Sequence, residues 1–209
     1  GGGRLALAID EEAPPMTLDL THPAQQVATL VAGVTDDQLD APTPCPEMRV
    51  GTLLAHLAAL AVAFTDAAAK VLGPTTETPP TAAVPVLPDD WRTVIPARLE
   101  ALVEAWQQPE SWQGETTVGG VTMPATDIGY VANNELVLHG WDLSAATDQP
   151  FEVAEPNLDA SWVMVFNTPD DPAARGGLFG PRLPVAESAP LLDRVLAGAG
   201  RDPYWSPEG

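Results

Sequence analysis

The run TDIGYVANNELVLHGWDLSAAT, residues 126–147, carries the spacing of one long helix, with Gln149-Pro150 as its stop. Within it Glu135, His139 and Asp142 stand at i, i+4 and i+7, so they share one face. Ile128, Val131, Ala132 and Ala146 occupy the same sector, and the solvent face of a bundle helix is not bounded by apolar residues in this way. Three ionisable groups are therefore expected to point inward. Burying them unpaired is costly, and a divalent cation is the simplest partner.

A second helix is expected over residues 50–72, rich in Ala and Leu and ended by Gly73-Pro74. It places His56 on a face with Leu53, Ala59, Leu60 and Ala63, again looking into the core. Two facing helices would then present His56 from one side and the Glu135/His139 pair from the other. Two imidazoles and one carboxylate suit zinc, and three protein ligands leave a position open for water or substrate. Plainer readings stand beside this one: Glu-x-x-x-His is also a common exposed helix pair, and a core histidine is often simply hydrogen-bonded. Asp142 reads either as the acceptor of a ligand's free N–H, the preferred role, or as a fourth ligand.

Around these two helices the spacing predicts a first helix over 19–34 and a third over 90–106, with Pro96 as a kink. DAPTPCPEM, residues 40–48, is a loop leading into the second helix, and the proline-rich 75–90 is a long connection. Gly119-Gly120 between short β-forming runs signals a hairpin. A fifth helix is expected over 156–166 and a short last one over 190–197. Four main helices with short satellites make a bundle, in one domain over 16–209. Met16 reads as a natural start, and residues 1 to 15 as a tag or extension.

Composition narrows the function classes. With 29 acidic against 9 basic residues the formal net charge is −20, which argues against nucleic acid or an anionic membrane as partner. The single cysteine, Cys45, excludes an intramolecular disulfide and a cysteine-based zinc cluster and fits the cytoplasm. Flanked by two prolines, it reads as a small structural hydrophobe. No apolar run approaches the ~20 residues of a membrane span, the most apolar stretch, 53–64, being interrupted by His56. His22 reads as exposed or capping. Trp106, Trp141 and Trp162 are expected to pack in the bundle, and Gly176, Gly177 and Gly180 lack the strand-to-helix context of a phosphate loop.

The segments TPCPEM, LLAHL, ELVLHGWDLSAATDQP, GLFGPRLPV and LAGAGRDP, in that order across residues 19–203, resemble the actinobacterial family related to mycothiol-dependent maleylpyruvate isomerase, within the wider DinB-like superfamily. The resemblance implies an all-α, up-and-down four-helix bundle with a divalent metal between helices, and its ligand positions fall on His56, Glu135 and His139. It further implies that the metal, zinc by the donor set, activates a low-molecular-weight thiol, mycothiol, for transfer or isomerisation on a small electrophile. The expected partners are thus a small substrate and a thiol, with the chain a monomer or homodimer. Metal-dependent hydrolysis and non-catalytic metal or small-ligand binding are the alternatives. The chain departs from the family at Met48, where tryptophan is usual, and at Arg49 and Gly51, where a capping residue and an acidic one are usual. The isomerase's separate C-terminal domain is not expected here.

Overall fold

Four helices frame the computed structural model, which describes residues 17–208; the expected tag or extension at 1 to 15 lies outside the described residues. In chain order the elements are α1 (Thr21–Gly33), α2 (Val50–Ala68), α3 (Pro74–Glu77), α4 (Trp91–Trp106), β1 (Glu115–Val118), β2 (Val121–Pro124), α5 (Ala125–Thr147), α6 (Glu155–Asn167), α7 (Pro172–Arg175) and α8 (Leu191–Gly198). The fold is the all-α bundle with a small hairpin and short C-terminal helices that the sequence predicts. Helices α1 and α2 each pack against both α4 and α5, so the first two stand diagonally across the bundle.

The sequence explains why α2 lies at the centre. Val50, Leu53, Leu54, Leu57, Leu60, Ala61 and Phe64 are all buried, and they meet Ile95, Leu99 and Leu102 of α4 and Leu136 and Leu143 of α5 in one core. Over 19 residues α2 reaches a mean hydropathy of 1.6, long and apolar enough by composition to cross a membrane. That departs from the expectation drawn from the His56 interruption. In this fold 56% of the segment is buried, and its apolarity supplies the bundle core.

Polar ties fix α2 against its neighbours. Arg98 and the Trp106 indole donate to the Ala58 and Phe64 carbonyls, and the Thr116 hydroxyl on β1 donates to Ala67. At the start of α2 no side chain caps the helix. Instead the amides of Val50 and Gly51 donate to the carbonyls of Ala41 and Leu39, and Arg49 holds the Asp40 carbonyl. Backbone from the preceding loop thus does the work of a capping side chain.

Several expectations shift. Helix α2 ends at Ala68 rather than residue 72, since Lys70 turns left-handed at φ 56°. The proline-rich connection contains α3, anchored by the buried Thr76 hydroxyl donating to the Val71 carbonyl. Trp106 packs in the bundle core, but Trp141 and Trp162 pack in a second cluster on the outer side of α5, around Leu138, Val165, Phe179, Val195 and Leu196. Helix α6 packs on α5 and α8 packs on α6, so the apolar faces of the C-terminal helices are covered in this second cluster. His22 accepts from the Ala154 amide, tying the start of α1 to the start of α6.

Helix α5 comes close to α1 at Gly140, where an added Cβ would stand 2.8 Å from the Phe151 ring and 3.2 Å from Val27 Cγ2. Gly140→Val therefore overpacks a contact one residue from His139, and a destabilisation of about 1–3 kcal/mol is expected from urea unfolding.

Candidate metal centre

Helices α2 and α5 pack side by side, and their facing surfaces carry the predicted groups. His56 Nε2 and His139 Nε2 each lie 3.2 Å from the same atom, Glu135 Oε2. The two rings meet edge to face, with centroids 4.8 Å apart. Among the described residues, His56, Glu135 and His139 form the cluster whose donor atoms could hold a metal, all within 4.8 Å of one another. Buried Leu53, Leu57 and Leu60 neighbour His56 along α2 and Leu136 follows Glu135 on α5, so the inward side of the cluster adjoins the apolar core. The outer side is open, for the His56 and Glu135 side chains remain 23% and 18% exposed, whereas His139 is 9%.

Asp142 stays out of this cluster. It is fully buried one turn further along α5, and its Oδ2 accepts from His139 Nδ1 at 3.0 Å. An ionised carboxylate only accepts, so Nδ1 donates to Asp142; in the metal-free protein Nε2 likewise donates to Glu135, and it is the nitrogen left to bind a metal once that second proton is lost. Asp142 is gripped in turn by Arg201, whose Nε and Nη2 donate to Oδ1 and Oδ2 at 2.8 and 2.9 Å. Arg201 belongs to a motif noted in the sequence, but nothing local to it foretells a partner 59 residues away.

The donor set fits a divalent ion of zinc's type. Two nitrogens and an oxygen converge from the helix pair: the two N–O separations of 3.2 Å match the roughly 3.3 Å between donors sharing a tetrahedral ion at about 2.0–2.1 Å, and all three donors lie within 4.8 Å of one another. A histidine with its second nitrogen on a carboxylate is the usual support for such a ligand.

Proton equilibria reflect the crowding. Burial works against charge on Glu135, but hydrogen bonds from His139 and His56 and their charges outweigh it and hold the carboxyl well below the usual range. Burial likewise opposes charge on His139, yet the hydrogen bonds and charges of Asp142 and Glu135 prevail, pushing it up to about 9. Asp142 is lowered despite burial, by His139 and Arg201. Cys45 moves the other way: burial, then the nearby Asp142 charge, raise its thiol pKa. That is the opposite of an activated nucleophile and fits the structural role expected of it.

Residues 20–144, more than half of the chain, match the family described as the mycothiol maleylpyruvate isomerase N-terminal domain. Two uncharacterized proteins of Mycobacterium tuberculosis, Rv0738 of strain ATCC 25618 / H37Rv and MT0763 of strain CDC 1551 / Oshkosh, are 29% identical over 83% of this chain and 91% of theirs. The crystal structure of the mycothiol-dependent maleylpyruvate isomerase superposes with a TM-score of 0.54 at 20% identity, over 70% of this chain. A histidine-to-alanine mutant of that enzyme gives the same TM-score at 18% identity. The chain spans 66% of that enzyme's length.

These shifts set an expected pH profile for the metal-free protein. A raised His139 contributes stability fully present below its unfolded pKa of about 6.5 and lost as pH rises through about 9. The lowered Glu135 and Asp142 contribute stability present above about 4 and lost in acid. Melting temperature in chelator should therefore fall between pH 6.5 and 9, and His139→Gln should flatten that slope. A parent profile that rises over this window would contradict the assignment.

Proposed function

Because the chain belongs to the mycothiol maleylpyruvate isomerase N-terminal domain family, we propose that it is a metal-dependent enzyme acting with a small thiol. In this reading a divalent ion, zinc by its donors, is held by His56, Glu135 and His139. The thiol is mycothiol, activated for transfer or isomerisation on a small electrophile. The observation that carries the proposal is the convergence of three donor atoms within 4.8 Å on two packed helices, with one side open.

The chain's own residues divide the work. His56 holds its position from α2, while Glu135 and His139 hold theirs one turn apart on α5. Asp142 orients the His139 ring through Nδ1. The apolar core that adjoins the inward side of the cluster lowers the local dielectric, which strengthens the charge interactions within it. The exposed edges of His56 and Glu135 leave an approach for a small molecule. A bound divalent ion supplies charge that lowers the pKa of an approaching thiol and so raises its thiolate fraction at neutral pH.

Protein purified without added metal should carry close to one zinc per chain by elemental analysis. With mycothiol and small electrophiles, maleylpyruvate among them, it should turn over, and His56→Ala should lose metal and turnover together. Metal-loaded protein that neither binds mycothiol nor turns over would contradict the proposal. So would a His56→Ala variant that loses metal with no consequence except a lower melting temperature.

A further inference from the structure

Asp142 and Arg201 form an ion pair that joins α5 to the C-terminal segment. Arg201 lies beyond α8, in the C-terminal segment that covers the outer side of α5, and its guanidinium reaches through to a carboxylate with no exposed surface. Taking two charges out of water is costly unless the geometry is good. Here it is good, because the planar fork donates to both carboxylate oxygens. Oδ2 then has its remaining contact with His139 Nδ1. Swinging Asp142 to another rotamer would break two charge-assisted bonds at once.

The turn that delivers Arg201 is itself tightly held. Gly200 has φ 86°, and a Cβ on it would stand 2.6–2.9 Å from backbone atoms of Gly180 and Pro181. Only glycine permits that approach. The Gly180 amide donates to the Ala199 carbonyl and the Leu183 amide to Ala197. Buried Arg175 donates to the carbonyls of both Gly180 and Gly198, clamping the two strands of the segment together. The Arg201 amide donates to Leu196 in α8.

We propose that Arg201 is a positioning residue for the metal centre: by locking Asp142 it fixes the His139 ring with Nε2 toward Glu135, so the C-terminal segment sets metal affinity. This rests on the metal reading of His56, Glu135 and His139. The sequence residues GLFGPRLPV and LAGAGRDP thereby acquire a shared purpose, since each supplies one side of the contact that places Arg201.

The test uses the full chain, stripped of metal, titrated with Zn²⁺ against a chromophoric chelator and with Co²⁺ followed by its visible absorption. Arg201→Gln should bind Zn²⁺ on the order of 10–100-fold more weakly and shift the Co²⁺ spectrum. Arg201→Lys, with charge but no fork, should lose less. Gly200→Ala, which displaces the turn without removing a charge, should weaken binding in the same direction as Arg201→Gln. Arg92→Gln is the control: Arg92 donates to the Val34 carbonyl and to Asp36, away from the C-terminal segment, so its loss should lower melting temperature and leave Zn²⁺ affinity unchanged. Parent-like affinity and spectrum in Arg201→Gln would overturn the inference, leaving only a structural tie. If Arg201→Gln does not fold, Arg201→Lys decides, and parent-like affinity there overturns it equally. Failure of the parent chain to bind either ion overturns the metal reading itself, a result distinct from both.

Discussion

One carboxylate oxygen, Glu135 Oε2, sits 3.2 Å from an imidazole nitrogen on its own helix and 3.2 Å from another on the helix beside it. That shared atom is the constraint on which the rest turns. A half-buried acid between two histidines is stable only where every partner is held in place, because an unpaired charge there is expensive. The bundle meets this need through the α2–α5 contact. The apolar core adjoins the inward side, backbone carbonyls of α2 are tied down from α4 and β1, and Asp142 holds the further ring.

Support for the cluster extends outward in steps. Glu135 and His139 are neighbours on α5, Asp142 is the next residue on that face, and Arg201 returns from the far end of the chain to hold Asp142. The second apolar cluster, around Leu138, Val165, Phe179 and Val195, packs the C-terminal helices onto α5. A buried polar network adds to that seam, with Asn133 donating to the Asn157 carbonyl and the Ser161 hydroxyl, and Asn157 donating to Asn133 and to the Asp19 carbonyl. The segments beyond the bundle therefore bear on the same helix that carries two of the three candidate ligands.

What could be read in the sequence was what local spacing encodes. Helix α5 begins and ends within a residue of expectation because its period is unbroken and proline bounds it on both sides. The clustering of His56 with Glu135 and His139 followed from two helical faces, each with an ionisable group among apolar neighbours. Less legible were features set by distant partners. The end of α2 depends on a left-handed Lys70, and α3 hides among prolines because its anchor is one buried threonine. Trp141 packs in the second cluster rather than in the bundle, because its partners in the C-terminal helices are not written in its own helix. Arg201 is the clearest case, since a lone arginine in a glycine-rich tail looks like any exposed base until the fold brings Asp142 to it.

The account is tested most directly by crystals of the zinc-loaded protein measured on both sides of the zinc absorption edge. An anomalous peak between α2 and α5, within about 2.0–2.2 Å of His56 Nε2, His139 Nε2 and a Glu135 oxygen, with Asp142 still joined to Arg201, is the predicted result. A peak elsewhere, or density in which these three side chains keep their direct contacts while zinc is in excess, would contradict it.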